Sequence, residues 1–175
     1  NDKSDFKKYP RNNKKDLSIL KKLNVDFVYL PKIKEIYKSK NTKKIKLNKK
    51  DKVLCAKFRK GHFEGVLQVM KRLTKLIKPN RVFMGEKDFQ QLYFVKKYIE
   101  KHNKFRLVSC ATIRDKNKIA LSSRNMLLNK QELDTAGKIA NELILFKKKI
   151  KINNNIDELL KNKIKKIKEL FNINI

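Results

Sequence analysis

Short apolar runs alternating with helical patterns constrain this chain most. Residues 53–58 (VLCAKF) read as a strand. Gly61-His62 then opens a helix whose apolar positions are Phe63, Val66, Leu67, Met70, Leu73 and Ile77, the i, i+3, i+4, i+7 spacing of one buried face, and Pro79 stops it. Residues 81–84 read as a strand, 88–102 as a helix with Leu92, Val95 and Ile99 inward, and 105–113 as a strand rich in β-branched and apolar residues. Upstream, residues 16–23 suit a short helix and 25–30 (VDFVYL) a mostly apolar strand closed by Pro31. Apolar strands alternating with amphipathic helices predict an α/β domain with a parallel sheet covered on both faces.

Beyond Arg124 the character changes. Two amphipathic helices are expected, 130–148 and 156–171, each opened by a capping-box pattern, Asn129 with Glu132 and Asn155 with Glu158. Residues 147–155 read as a polar linker. We therefore divide the chain into 1–114, part of an α/β domain, and 115–175, the start of a smaller C-terminal one.

Length and composition limit the function classes. At 175 residues the chain can bury a sizeable core, and no apolar run approaches the ~20 residues needed to cross a bilayer. The net charge of +30 points on its face to nucleic acid, but lysine is spread along the whole chain, and the dense basic stretch 40–52 has no aromatic residues for base stacking. A basic nucleic-acid-binding module is thus a minor alternative, and no specific nucleic-acid partner is expected. Cys55 and Cys110 form no CxxC or Cys/His cluster and read as buried, reduced thiols, which suits the cytoplasm.

Polar residues gather where strands hand over to helices. In "GEKDFQQL" (85–92), Asp88 and Gln91 stand at capping-box spacing. The same segment suits a phosphate, with Gly85 at a strand end and Lys87 beside a helix start. "FRKGHF" (58–63) places Arg59 and His62 at another junction, where His62 alone could be no more than a helix-start residue. "ALSSRN" (120–125) offers Ser122, Ser123 and Arg124, either as a capping turn or as a polyphosphate grip through charge-assisted bonds. Ligands of parallel α/β sheets bind beyond the carboxyl ends of the strands, and "GEKD" lies at one such end.

Taken in order, "DFKKYPR" (5–11), "VDFVYLP" (25–31), "RKGHFEGV" (59–66), "VFMGEKDFQQL" (82–92) and "TIRDKNKIALSSRN" (112–125) resemble the pantothenate synthetase (pantoate–β-alanine ligase) family over roughly residues 2–145. The resemblance implies a doubly wound parallel sheet of the HxGH-type nucleotidyltransferases with a small C-terminal domain, and commonly a homodimer. It implies ATP-dependent joining of pantoate to β-alanine through pantoyl adenylate, with Mg²⁺ accompanying ATP. Another HxGH-type nucleotidyltransferase is the alternative, against which Gln91 argues. By resemblance, Gly85, Glu86, Lys87, Asp88, Ile113, Leu121, Ser122, Ser123 and Arg124 would bind ATP, with Lys87 and Arg124 catalytic. Gln91, Arg59 and His62 would bind pantoate. No protein metal ligands are expected.

There are departures. Lys60 stands where the family usually has proline, and Asn117-Lys118 replaces the usual Asp-Gly. The family's HxGH and NPxQF segments do not occur in this sequence. The chain is therefore expected to be an internal fragment that makes no pantothenate alone, with an open sheet edge and exposed apolar faces.

Overall fold

The computed structural model describes residues 12–37, 45–102, 104–150 and 155–173. The stretch 5–11 quoted above lies outside them, as do residues 151–154 of the expected linker. The chain divides into two compact units, Asn1–Ala111 and Thr112–Ile175.

In the first unit, helix α1 (Asn13–Lys22) is capped by Asn12, whose Oδ1 accepts from Lys15 N at 3.0 Å. Short helix α2 (Ile33–Ile36) follows, and Arg72 ties it down: its guanidinium donates to Ile36 O at 2.7 Å and sits 4.6 Å from the Tyr37 ring centroid. A single helical turn α3 (Cys55–Phe58), helix α4 (His62–Ile77), strand β1 (Arg81–Gly85), helix α5 (Phe89–Tyr98) and strand β2 (Arg106–Cys110) complete the unit.

The α4–β1–α5–β2 arrangement follows the sequence pattern. Gly61 precedes α4 at φ 74°, a left-handed conformation that glycine adopts without a Cβ clash. β1 and β2 run parallel in register from Arg81 opposite Arg106 to Gly85 opposite Cys110. The core lies between α4, α5 and the sheet: Leu67 and Val95 are 0% exposed, and Phe94 and Ile99 1%. The Phe63 and Phe94 rings meet edge to face at 5.0 Å, which fixes the start of α4 against the middle of α5.

Several expectations are corrected. Residues 25–30 form no strand, and residues 53–58 form a turn and α3 instead of a strand. A strand exists only where its N–H and C=O groups meet a neighbour's, and among the described residues the sheet has two strands. The expected helix 88–102 ends at Tyr98, and Glu100–His102 tighten into a 3₁₀ turn. Both cysteines are exposed: Cys55 opens a surface turn, and Cys110 ends β2. On the apolar face of α4 Phe63 and Leu67 are buried and Ile77 is open, as are Phe27 (92% exposed) and Leu30.

A buried polar cluster fastens the loop before α3 to α5. Asp51, 6% exposed, accepts from Lys97 Nζ at 2.6 and 2.7 Å and from Tyr98 Oη at 2.5 Å. Tyr98 Oη in turn accepts from Asn48 N at 2.9 Å.

The second unit holds a hairpin-like turn and two helices, α6 (Lys130–Ile150) and α7 (Ile156–Phe171). α6 begins with the expected reciprocal cap: Asn129 N donates to Glu132 and Glu132 N to Asn129 Oδ1. At α7 only the side chains of Asn155 and Glu158 meet. The helices pack together, with Phe146 and Ile167 buried and Lys163 paired with Glu142. α6 approaches the turn closely at Gly137, where a Cβ would lie 3.1 Å from Asn117 O.

Candidate active site

At the carboxyl end of β1 the chain passes through a 3₁₀ turn (Glu86–Asp88) into α5. Asp88 stands at the N-cap of α5 yet makes no side-chain cap bond. The capping box that Asp88 and Gln91 could have formed is therefore not made. Glu86 is tied to the neighbouring strand instead, its carboxylate accepting from Ser109 Oγ. Gly85 has φ −72°, and a Cβ placed on it would meet no protein atom within 4 Å. Neither strain nor packing demands glycine there; close approach by a bound molecule would.

Across from this turn, Arg59 follows α3, and its carbonyl accepts from His62 N at 3.1 Å. The left-handed Gly61 turns the chain so that Arg59 and His62 stand beside α5. His62 packs on Phe63, ring centroids 5.0 Å apart. Burial, then the Arg59 charge, holds its pKa below the ordinary histidine value, with Asp88 opposing. This favours the neutral imidazole, which can donate from one nitrogen and accept at the other.

Arg59, His62, Lys87, Asp88 and Gln91 line one cavity of about 300 Å³. Two cations, one anion, an imidazole and an amide face a common space. Such a set can neutralise phosphoryl or carboxylate oxygens and hold a hydroxyl by paired donation and acceptance. Sequence reasoning missed further residues on the same wall, Leu54, Cys55 and Gln90 among them. Their involvement follows from the turn at Leu54, whose backbone no composition or spacing announces.

The remaining candidates belong to the second unit. Ile113 and Leu121 face each other across the turn, Leu121 N donating to Ile113 O at 3.0 Å, and both side chains are more than half exposed. Asp115 Oδ1 accepts from Asn117 N and Ile119 N, and Lys118 adopts φ 67° at the position where glycine is usual. Ser122 caps the 3₁₀ turn Ser123–Leu127, its Oγ accepting from Arg124 N at 3.3 Å. Among the described residues no three His, Cys, Asp or Glu side chains gather to hold a metal, and no helix is long and apolar enough to cross a membrane.

The family model for pantoate-beta-alanine ligase matches residues 1–174. A pantothenate synthetase of Azobacteroides pseudotrichonymphae is 39% identical over 169 residues, covering 95% of this chain and 60% of the relative. One from Phocaeicola vulgatus is 37% identical over 145 residues, covering 82% and 51%. Among solved structures, pantothenate synthetase from Thermus thermophilus superposes with a TM-score of 0.86 at 26% identity, over 97% of this chain and 62% of that one. The pantoate-beta-alanine ligase of Francisella tularensis, complexed with "Beta-gamma ATP" and beta-alanine, gives 0.76 at 30% identity, over 94% and 62%. The chain spans about half to three fifths of the length of these relatives. The order of elements, the parallel sheet and the matches together show that the chain belongs to the pantoate-β-alanine ligase family.

Proposed function

We propose that this chain carries part of the active site of an ATP-dependent pantoate–β-alanine ligase. The observation that carries the reading is the single cavity that Arg59, His62, Lys87, Asp88 and Gln91 line. In the reaction, a carboxylate oxygen of pantoate attacks the α-phosphorus of ATP, and the bond to the bridging oxygen breaks to release pyrophosphate. The amine of β-alanine then attacks the acyl carbon of pantoyl adenylate. AMP leaves, the nitrogen gives up its proton, and pantothenate remains.

This chemistry asks for positioning and charge neutralisation more than for covalent help. Lys87, on the 3₁₀ turn at the strand end, meets charge developing on the phosphoryl oxygens. Gly85 lets the nucleotide approach the backbone, with Glu86 and Asp88 beside it. Arg59 pairs with the pantoate carboxylate. Neutral His62 and the Gln91 amide bind its hydroxyls. From the second unit, Ile113 is proposed for the adenine side, and Leu121, Ser122, Ser123 and Arg124 for closing over ATP, Arg124 with a catalytic share. Mg²⁺, which neutralises phosphate charge when bound, suits a site without a protein cage: ATP oxygens and water would hold it. A homodimer and a cytoplasmic location complete the reading.

The test is AMP formation by the product of the intact reading frame. Turnover that requires ATP, pantoate and β-alanine together is expected. AMP formation that proceeds without pantoate, or no turnover at all, would overturn the reading.

A further inference from the structure

The turn Val53–Ala56 is built against the preference of its own residues. Leu54 has φ 50° and ψ −133°, close to the first central position of a type II′ turn, where glycine is favoured because a Cβ is crowded at positive φ. The turn's own bond runs from Ala56 N to Val53 O at 3.1 Å. Gln90 brackets those same two groups. Its Nε2 donates to Val53 O at 2.7 Å, and its Oε1 accepts from Ala56 N at 3.3 Å. A primary amide supplies both roles from one side chain. The Leu54 side chain is 70% exposed, so its burial does not hold the backbone there. A non-glycine residue keeps such a conformation where its surroundings over-determine it.

The strained turn also lies next to the chemistry. Leu54 and Gln90 line the same cavity as Arg59, His62 and Gln91. α3 is one helical turn with Leu54 just before it and Arg59 just after it, so the setting of Leu54 decides where Arg59 stands. We propose that Gln90 is a positioning residue: its amide holds the Leu54 turn left-handed and so sets the wall that presents Arg59 to the pantoate carboxylate. The inference rests on the reading of this cavity as the pantoate site.

The experiment compares the intact enzyme with Gln90→Leu and with Gln90→Leu/Leu54→Gly. Gln90→Leu should speed hydrogen exchange of the Ala56 amide about tenfold and leave Val95 within about twofold. Adding Leu54→Gly should return exchange to within about threefold of the parent, because glycine needs no clamp at that φ. The pantoate KM of Gln90→Leu should rise about fivefold, with the ATP KM within about twofold and the double variant recovering. Parental exchange at Ala56, no recovery by glycine, or an equal rise of both KM values would overturn the proposal. If Gln90→Leu does not fold, Gln90→Glu retains the acceptor for Ala56 N and loses the donor to Val53 O. Intermediate exchange then supports the clamp, and parental exchange defeats it. If the unaltered enzyme makes no pantothenate, the functional reading falls, and the exchange measurements alone decide what Gln90 does.

Discussion

Residues 25–58 and residues 62–110 are both rich in apolar side chains, but they end up in different states. In the later segment Leu67, Phe94, Val95 and Ile99 are buried to 1% exposure or less. In the earlier one Phe27, Leu30, Val53, Leu54 and Phe58 are each more than half exposed. α4 and α5 satisfy their backbone groups internally and need a partner only for one face. Strands need a neighbour along their whole length, and β1 and β2 find one in each other. An apolar run thus reports the tendency to be covered, not the pairing that makes a strand.

The contrast predicts unequal mutational costs. Leu67→Ala should destabilise the chain by about 3 kcal/mol, since it empties a site with no solvent access; urea unfolding measures it, and a loss below about 1 kcal/mol would break the contrast. Lys87→Ala should slow pyrophosphate release with ATP and pantoate about a hundredfold while leaving stability nearly unchanged. A rate within about threefold of the parent would remove Lys87 from the chemistry.

A smaller effect is expected where the two segments are fastened together. The Lys97 hydrogen bond, then that of Tyr98, holds Asp51 below the usual carboxylate range, and the Asp51 bond chiefly raises Lys97. A depressed carboxylate stabilises above its ordinary pKa and loses that contribution as pH falls through its folded value; a raised lysine stabilises below its ordinary pKa and loses it as pH rises through its folded value. Asp51→Asn should therefore lower the melting temperature across neutral pH, and the gap to the parent should close in strong acid. A gap that persists there would mean that the pair is not what joins the loop to α5.

Lys118→Gly should raise stability by about 0.5 kcal/mol, because it relieves the left-handed backbone at some entropic cost. Differential scanning calorimetry would see the sign. Phe27→Ala should change stability by less than about 0.5 kcal/mol, the counterpart of Leu67→Ala on the open side of the comparison.

What was legible in the sequence follows the same division. Helix α4 was readable from its spacing, Gly61 and Pro79, and β1 and β2 from short apolar runs. The capping box at Asn129 was readable because both partners are local. Residues 25–30 and 53–58 misled because strand pairing is a property of two segments. The Asp51–Lys97 pair joins residues 46 apart and had no local sign. Arg59, His62, Lys87, Asp88 and Gln91 stood out as polar groups at strand-to-helix junctions. Gln90 did not, because its role depends on a backbone angle at Leu54.

The reading of the cavity depends most on Gln91. Its alternative role, the capping box with Asp88, is not made at the start of α5. Pantoate titration and thermal unfolding of Gln91→Ala in the intact enzyme separate the two roles. We predict a loss of about tenfold in pantoate affinity, with ATP affinity and melting temperature close to the parent. Unchanged pantoate affinity with a lowered melting temperature would contradict the account and leave Gln91 as a structural residue.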